Sequence, residues 1–457
     1  MEIHQEIFRE YDIRGIVDQD LTPDIVRLLG QAYGTYIQEK GEHEVIVGRD
    51  NRLSSPAFRE AMVDGLLSTG VDVIDIGLVP TPVFYYSRVH YGKDGGVMIT
   101  ASHNPPEYNG FKLAHGFGTL YGDEIQEIYR RMVAGSFHKG EGRLSTANPI
   151  PDYIAEITSK VKLGPKPLKV VADCGNGATS VCAISLLKGL GCEVIPLYAE
   201  PDGRFPNHHP DPVEPENLQD LIAEVKRSHA DVGVAFDGDG DRLGAVDETG
   251  SILWGDEMMI LFWREILPKY PDKPCIVEVK CSQALVEEIE RLGGKTMFYK
   301  TGHSLIKAKM QEVGAVFTGE MSGHMFFADE YYGYDDAMYA AARLLRILSN
   351  EERSFSQIRQ SIPHYFSTPE TRVDCPDDVK FDVVARVQEH YRARYDVIDI
   401  DGARVLFPDG WGLVRASNTQ PALVLRAESK TEEGLERIKR DLEETLRQMP
   451  QVGRIGW

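Results

Sequence analysis

Three stretches of the chain carry the same pattern, and that repetition narrows the folds open to it more than any other feature. Residues 45–50 (VIVGRD), 170–175 (VVADCG) and 275–280 (CIVEVK) are short apolar runs that end in polar residues. Each is followed by a helical stretch, at 55–68, 179–188 and 282–291, then by a glycine turn and a second apolar run such as residues 71–74. A β-loop-α-β unit accounts for both halves of the pattern, because side chains alternate across a strand and recur every three or four residues on a helix face. Repeated roughly every hundred residues, the unit predicts three related α/β domains, which place ligand loops at the carboxyl ends of their strands. Asp50, Asp173 and Lys280 stand at those ends.

A chain of 457 residues exceeds what one hydrophobic core organises. At about 100 to 150 residues per domain it calls for three or four. Beyond Pro363 the texture changes, with strand patterns at 371–375, 397–400, 410–415 and 422–427 and an amphipathic helical pattern at 431–448. The expected fold class is therefore α/β: three related α/β domains with mixed sheets, followed by a smaller α+β C-terminal domain. Breaks at 149–151 (PIP), 248–250 (ETG) and 361–363 (SIP) set the domains at 1–149, 150–250, 251–365 and 366–457.

With 50 basic against 71 acidic residues the formal net charge is −21, which argues against nucleic acid or an anionic membrane as partner. No apolar run has the length of a membrane span, and residues 1–14 are too charged for a signal peptide, so a cytoplasmic location is expected. The six cysteines show no C-x-x-C spacing and read as reduced packing residues. If the ligand is a phosphate, an acidic chain must concentrate its cations in loops.

The first such loop is residues 96–105 (GVMITASHNP), a strand that presents Ser102 among small and hydrogen-bonding residues. Serine needs a base, a lowered pKa or a metal to act as a nucleophile, and the G-x-S-x-G elbow of hydrolases is absent because Ala101 and His103 flank it. Lys112, ten residues on, is placed to fold back and shuttle a proton or neutralise phosphate.

The second loop follows the buried strand pattern at 231–236 and reads DGDGDR, so that Asp237, Asp239 and Asp241 alternate with glycines. In extended backbone alternate residues project to one side, and glycines permit the curvature that converges three oxygens on a hard cation. An oxygen-only set favours Mg2+ and admits Ca2+ or Mn2+. An EF-hand is disfavoured because Arg242 occupies the position that demands glycine and a strand replaces the leading helix. A phosphatase-type D-x-D loop would continue with Thr or Val, where this chain has Gly240.

In the third loop, residues 319–324 (GEMSGH), Glu320 and Ser322 can grip neighbouring sugar hydroxyls, and His324 can bind substrate or move protons. His303, in the TGH run at 301–303, is another loop imidazole. The fourth loop, residues 415–421 (RASNTQP), joins the guanidinium of Arg415 to Ser417, Asn418 and Thr419 as a phosphate cradle.

These four loops in this order, with the YDIRG run at 11–15, resemble the α-D-phosphohexomutase superfamily, and GEMSGH most resembles its phosphomannomutase/phosphoglucomutase branch. The likeness spans the chain and implies four domains around a central cleft, one loop from each. It implies that Ser102 is a phosphoserine and also a metal ligand with Asp237, Asp239 and Asp241, and that the ion is Mg2+. It further implies that Glu320 and Ser322 read the sugar while Arg415, Ser417, Asn418 and Thr419 hold the non-reacting phosphate. Arg14, Lys112, Arg242 and His324 are implied at the reacting end, and Tyr11, Lys280 and His303 as cleft residues that bind substrate. The expected reaction interconverts hexose 1-phosphate and hexose 6-phosphate, of mannose or glucose, through a hexose 1,6-bisphosphate. Closure of the last domain is expected to shield the site from water. Met321 departs from the Gln of the phosphoglucosamine branch, which lowers that alternative. A metal-dependent sugar phosphatase and a Ca2+-binding sugar-recognition protein are the other readings weighed. The preferred sugar, the acid/base assignment and the oligomeric state stay open at this level.

Overall fold

The computed structural model describes residues 3–418 and 420–457. Among these residues the first sheet is a mixed one of seven strands, in spatial order Ile13–Ile16, Tyr108–His115, Gly96–Ile99, Glu44–Arg49, Asp72–Leu78 and Leu144–Thr146, with Gly118–Thr119 joined to the second of these. Val45, Ile46 and Val47 are all fully buried, as a parallel strand covered on both faces by helices must be. The second sheet orders Ile252–Leu253, Leu243–Asp247, Val232–Phe236, Lys169–Asp173 and Glu193–Leu197. The third unit holds a parallel pair, Pro274–Glu278 with Lys295–Tyr299, and an antiparallel pair, Phe317–Gly319 with Met325–Phe327. The last carries a six-stranded antiparallel sheet built on Ala422–Ser429 and Gly410–Ala416 and closed by the helix Glu432–Leu446.

Three local differences from the sequence reading have physical causes. The helix expected over 179–188 is broken: a 3-10 turn, Ala178–Val181, precedes the α-helix Ala183–Gly189. The amide of Ala178 is tied to the carbonyl of Gly238 at 2.9 Å, which pins that turn to the aspartate loop. The strand expected over 397–400 stops at Ile398, because residues 399–402 turn through Gly402 at φ +94°. Three elements of the last domain lie outside the expected pattern, the short strand Phe366–Ser367, the helix Lys380–Arg392 and the strand Ala403–Phe407.

One continuous core joins the first three units, running through Val83 and Phe84, Leu186 and Phe236, and Phe262, Trp263 and Phe327. The last unit has its own core, which includes Val387, Leu425, Ile438 and Leu442. It meets the rest through a small apolar contact of Trp411 and Leu413 with Val279. Beside it the buried Arg404 donates to the carbonyls of Val279 and Cys281, both at 2.7 Å, while its guanidinium lies 3.7 Å from the Trp411 ring centroid. Most of the seam is polar: Arg426 also pairs with Asp256, and Glu428 accepts from the Gln283 amide at 2.8 Å. All six cysteines are free and buried, and among the described residues no helix is long and apolar enough to cross a membrane.

Candidate active site

The serine loop is held from beneath by Arg52, whose fully buried guanidinium donates to four carbonyls: Ser102 at 2.8 Å, Asn104 and Pro105 at 2.6 Å, and Tyr108 at 3.0 Å. Asp50 accepts from the Arg52 amide at 3.0 Å and from the Ser55 hydroxyl at 2.5 Å. It therefore braces the loop, where its strand-end position pointed to ligand contact. Asp173 is likewise engaged, by the Gly175 amide at 2.8 Å and by His208 at 2.9 Å. Ser102 is buried and sits at φ +50°, a left-handed conformation that a non-glycine residue adopts only when its surroundings impose it. Its Oγ donates to Asp237 Oδ2 at 2.8 Å and lies 3.1 Å from Nδ1 of His103.

Residues 237–241 are not extended, as the alternating pattern suggested, but form a tight turn. Asp237 Oδ1 accepts from the amides of Gly240 and Asp241 at 3.0 Å and of Arg242 at 3.1 Å, and Gly240 stands at φ +79°. A Cβ on Gly238 would fall 2.4 Å from the Ser102 carbonyl, so only glycine lets the two loops meet. The turn gathers Asp237, Asp239 and Asp241, fully buried, with donor oxygens within 4.8 Å of one another. Asp239 Oδ1 and Asp241 Oδ1 are buried without a hydrogen-bond partner. Burial, then repulsion from Asp241 and Asp239, pushes the Asp237 carboxyl well above the usual range. Crowded, dry carboxylates with unused oxygens fit a divalent cation.

Lys112 reaches this cluster from the strand paired to the serine strand, with Met98 opposite it. Its ammonium pairs with Asp241 and lies 3.3 Å from Asp239. Burial alone would lower the Lys112 ammonium, but Asp239 and Asp241 hold it well above its ordinary value. Arg14 borders the serine loop, donating to Asn104 at 2.6 Å while paired with Asp12 at 2.6 Å. Arg242 donates to Nε2 of His324 at 3.0 Å and so joins the aspartate loop to the third loop.

His324 stacks on His303 with ring centroids 5.6 Å apart, and Tyr11 meets the edge of His303 at 5.3 Å. Glu320 is buried and accepts from the Gly302 amide at 2.8 Å; burial raises its carboxyl above the ordinary value. Ser322 is half-buried in the turn between Phe317–Gly319 and Met325–Phe327. In the last domain, Arg415 is clasped by Asp401 Oδ2, 3.1 Å from Nε and 3.0 Å from Nη2, and the same oxygen takes the Thr301 amide at 3.0 Å. Ser417 is buried, with Oγ accepting from the Gln420 amide at 3.2 Å, and Asn418 is half-buried beside it. Thr419 lies outside the described residues. Lys280 pairs with Glu370 of the last domain at 2.8 Å.

Contacts thus run unbroken from Ser102 through Asp237, Arg242, His324 and His303 to Gly302, Thr301, Asp401 and Arg415. Four of the residues described here were not singled out from sequence: Arg52, His103, Glu370 and Asp401. His103 and Arg52 had a signal, being a base beside the serine and a cation inside a polar strand-end loop. Glu370 and Asp401 had none, since Lys280 and Thr301 reach them from distant parts of the chain.

Family models for phosphoglucomutase/phosphomannomutase match successive parts of the chain: α/β/α domain I over residues 5–139, domain II over 151–250, domain III over 254–366 and the C-terminal domain over 370–445. The chain belongs to the phosphoglucomutase/phosphomannomutase family. Its members are mutase enzymes, and the fold of three α/β units and a C-terminal domain is the family's. It is 47% identical to phosphomannomutase/phosphoglucomutase of Pseudomonas aeruginosa over 95% of this chain and 94% of that one. It is 42% identical to phosphoglucomutase of Neisseria gonorrhoeae over 98% of each. A crystal structure of a phosphoglucomutase/phosphomannomutase family protein from Burkholderia thailandensis matches with a TM-score of 0.94 at 42% identity, covering 100% of both chains.

Proposed function

We propose that this enzyme interconverts hexose 1-phosphate and hexose 6-phosphate, of mannose, glucose or both, as a cytoplasmic mutase that carries the phosphoryl group on Ser102. The observation that supports this most is the Ser102 hydroxyl bonded at 2.8 Å to Asp237 inside a buried carboxylate cluster with unused oxygens. Asp237, Asp239, Asp241 and the Ser102 oxygen would hold Mg2+, which when bound supplies charge neutralisation for phosphoryl transfer.

The remaining work falls to the chain's own groups. Asp237 orients the serine oxygen, Arg14 and Arg242 offer guanidinium forks to the phosphoryl oxygens, and Lys112 adds positive charge beside Asp239 and Asp241. His324, whose Nε2 lone pair is shared with Arg242, would take or return the proton of the sugar hydroxyl once that guanidinium turns to the phosphoryl group. Glu320 and Ser322 read the sugar, with Tyr11 and His303 alongside. Arg415, Lys280, Ser417, Asn418 and Thr419 anchor the far phosphate. A hexose 1,6-bisphosphate formed by the first transfer turns end over end and returns its other phosphate to Ser102. The separate core of the last domain and its largely polar seam support its role as the closing lid.

The purified protein, given mannose 1-phosphate or glucose 1-phosphate with Mg2+ and a trace of the matching bisphosphate, should form the 6-phosphate in a coupled assay. Stoichiometric release of inorganic phosphate would mark a phosphatase, and turnover confined to glucosamine phosphate would mark a phosphoglucosamine mutase. Either result would overturn the reading.

A further inference from the structure

Behind the two stacked imidazoles sits a carboxylate that the proposed reaction does not use. Asp335 is fully buried. Its Oδ1 accepts from Lys307 Nζ at 2.8 Å, and its Oδ2 lies 3.2 Å from Nδ1 of His324 and 3.7 Å from Nδ1 of His303. Lys307 is fixed in turn by the first domain, donating to the Tyr85 hydroxyl at 3.1 Å with its ammonium 4.3 Å from that ring's centroid.

On the opposite side of His324, Arg242 donates from Nε to Nε2 at 3.0 Å. A guanidinium has only donors, so Nε2 must present its lone pair, and the hydrogen of the neutral ring must sit on Nδ1, whose nearest carboxylate oxygen is Asp335 Oδ2. Arg242 selects this tautomer by its hydrogen bond, and the Asp335 carboxylate 3.2 Å from Nδ1 favours it by charge. Oxygens of Asp241 and Asp335 with His324 Nδ1 lie close enough to hold a cation. But Lys112 on Asp241, Lys307 on Asp335 and Arg242 on His324 already bring three positive groups to that gap. An imidazole N–H facing Asp335 fills it at no added charge.

We infer that Asp335 is a positioning residue: it holds His324 as the Nδ1–H tautomer with Nε2 turned toward Arg242. The inference rests on the reading that His324 serves the reacting end. Asparagine at this position presents either an amide donor or a weaker acceptor, so it relaxes the tautomer while preserving shape.

The test has two parts that fail separately. In ¹⁵N-histidine NMR spectra of the full-length protein, with His324→Gln used for assignment, His324 should show a protonated Nδ1 and a bare Nε2. Asp335→Asn should raise the Nε2–H population and lower kcat about 100-fold, with KM changed less than about threefold. A wild-type His324 found as the Nε2–H tautomer would overturn the inference even if the variant fails to fold. So would an Asp335→Asn protein with both tautomer and kcat unchanged. The expected tautomer in a protein without mutase turnover would instead count against the reading of the reaction and leave the arrangement standing.

Discussion

The ammonium of Lys280 and the carboxylate of Glu370 meet at 2.8 Å across the seam between the third and last domains. Burial raises the Glu370 carboxyl, but Lys280 outweighs it and leaves the group at about 2. A depressed acid contributes stability that is present above its unfolded value near 4.5 and is lost as pH falls through the folded one. Between about pH 5 and pH 2 the wild-type protein should therefore lose about 2 kcal/mol more than Glu370→Gln, a figure discounted for partial exposure. Denaturation curves followed by tryptophan fluorescence measure the difference; parallel losses would show that the pair contributes nothing.

Ser102 accounts for a second expectation. Ser102→Ala should lose turnover by roughly 10⁴-fold or more, while calorimetry still detects binding of the hexose phosphate. Because position 102 sits at φ +50°, Ser102→Gly should be more stable than Ser102→Ala by about 1 kcal/mol. A ranking in the other direction would argue that the loop relaxes once the hydroxyl is gone.

Cation binding should register in stability as well as in turnover. Chelation should abolish the reaction and Mg2+ restore it, and an excess of about 100 times the dissociation constant should stabilise the fold by about 2.7 kcal/mol. Asp239→Asn should remove most of that gain. Lys112→Met leaves Asp239 and Asp241 without their ammonium, so it should melt lower without the ion and gain more than wild type when Mg2+ is added.

Arg415 is preset by Asp401, so its guanidinium fork meets the far phosphate already oriented. Arg415→Ala should raise KM by about 10- to 100-fold with a smaller change in kcat, as steady-state kinetics would show. A fall in kcat with KM unchanged would place the residue at the reacting end.

Arg52 satisfies four carbonyls and the buried Asp50 at once. Arg52→Met should cost about 3–5 kcal/mol, because it strands a buried carboxylate, and should abolish phosphorylation of Ser102 as read by intact mass. Retained stability and labelling would mean that the loop does not need this brace.

Much of the architecture lay in local patterns. The apolar runs at 45–50, 170–175 and 275–280 became strands because each is buried whichever way it is wrapped, and the helices Ser55–Leu67 and Gln283–Arg291 followed from periodicity. The helix Lys380–Arg392 buries Val383, Val384, Val387 and Tyr391 at helical spacing, but the charged residues between them mask the apolar stripe. The loop chemistries could be read because glycine, serine, aspartate and arginine have functional groups and conformational ranges that their spacing alone constrains.

Distances across the chain were a different matter. That Lys112 sits on Asp241, that Asp335 backs His324, and that Asp401 joins Arg415 to Thr301 depend on how separate domains pack. No local periodicity encodes such a meeting, since a buried charge finds its partner only where desolvation makes an unpaired one too costly. The sequence by itself determined the repeating units and the kinds of group each loop would offer. Tertiary packing decided which of those groups touch, because only the closed seams between domains remove the water that would otherwise have satisfied them one by one.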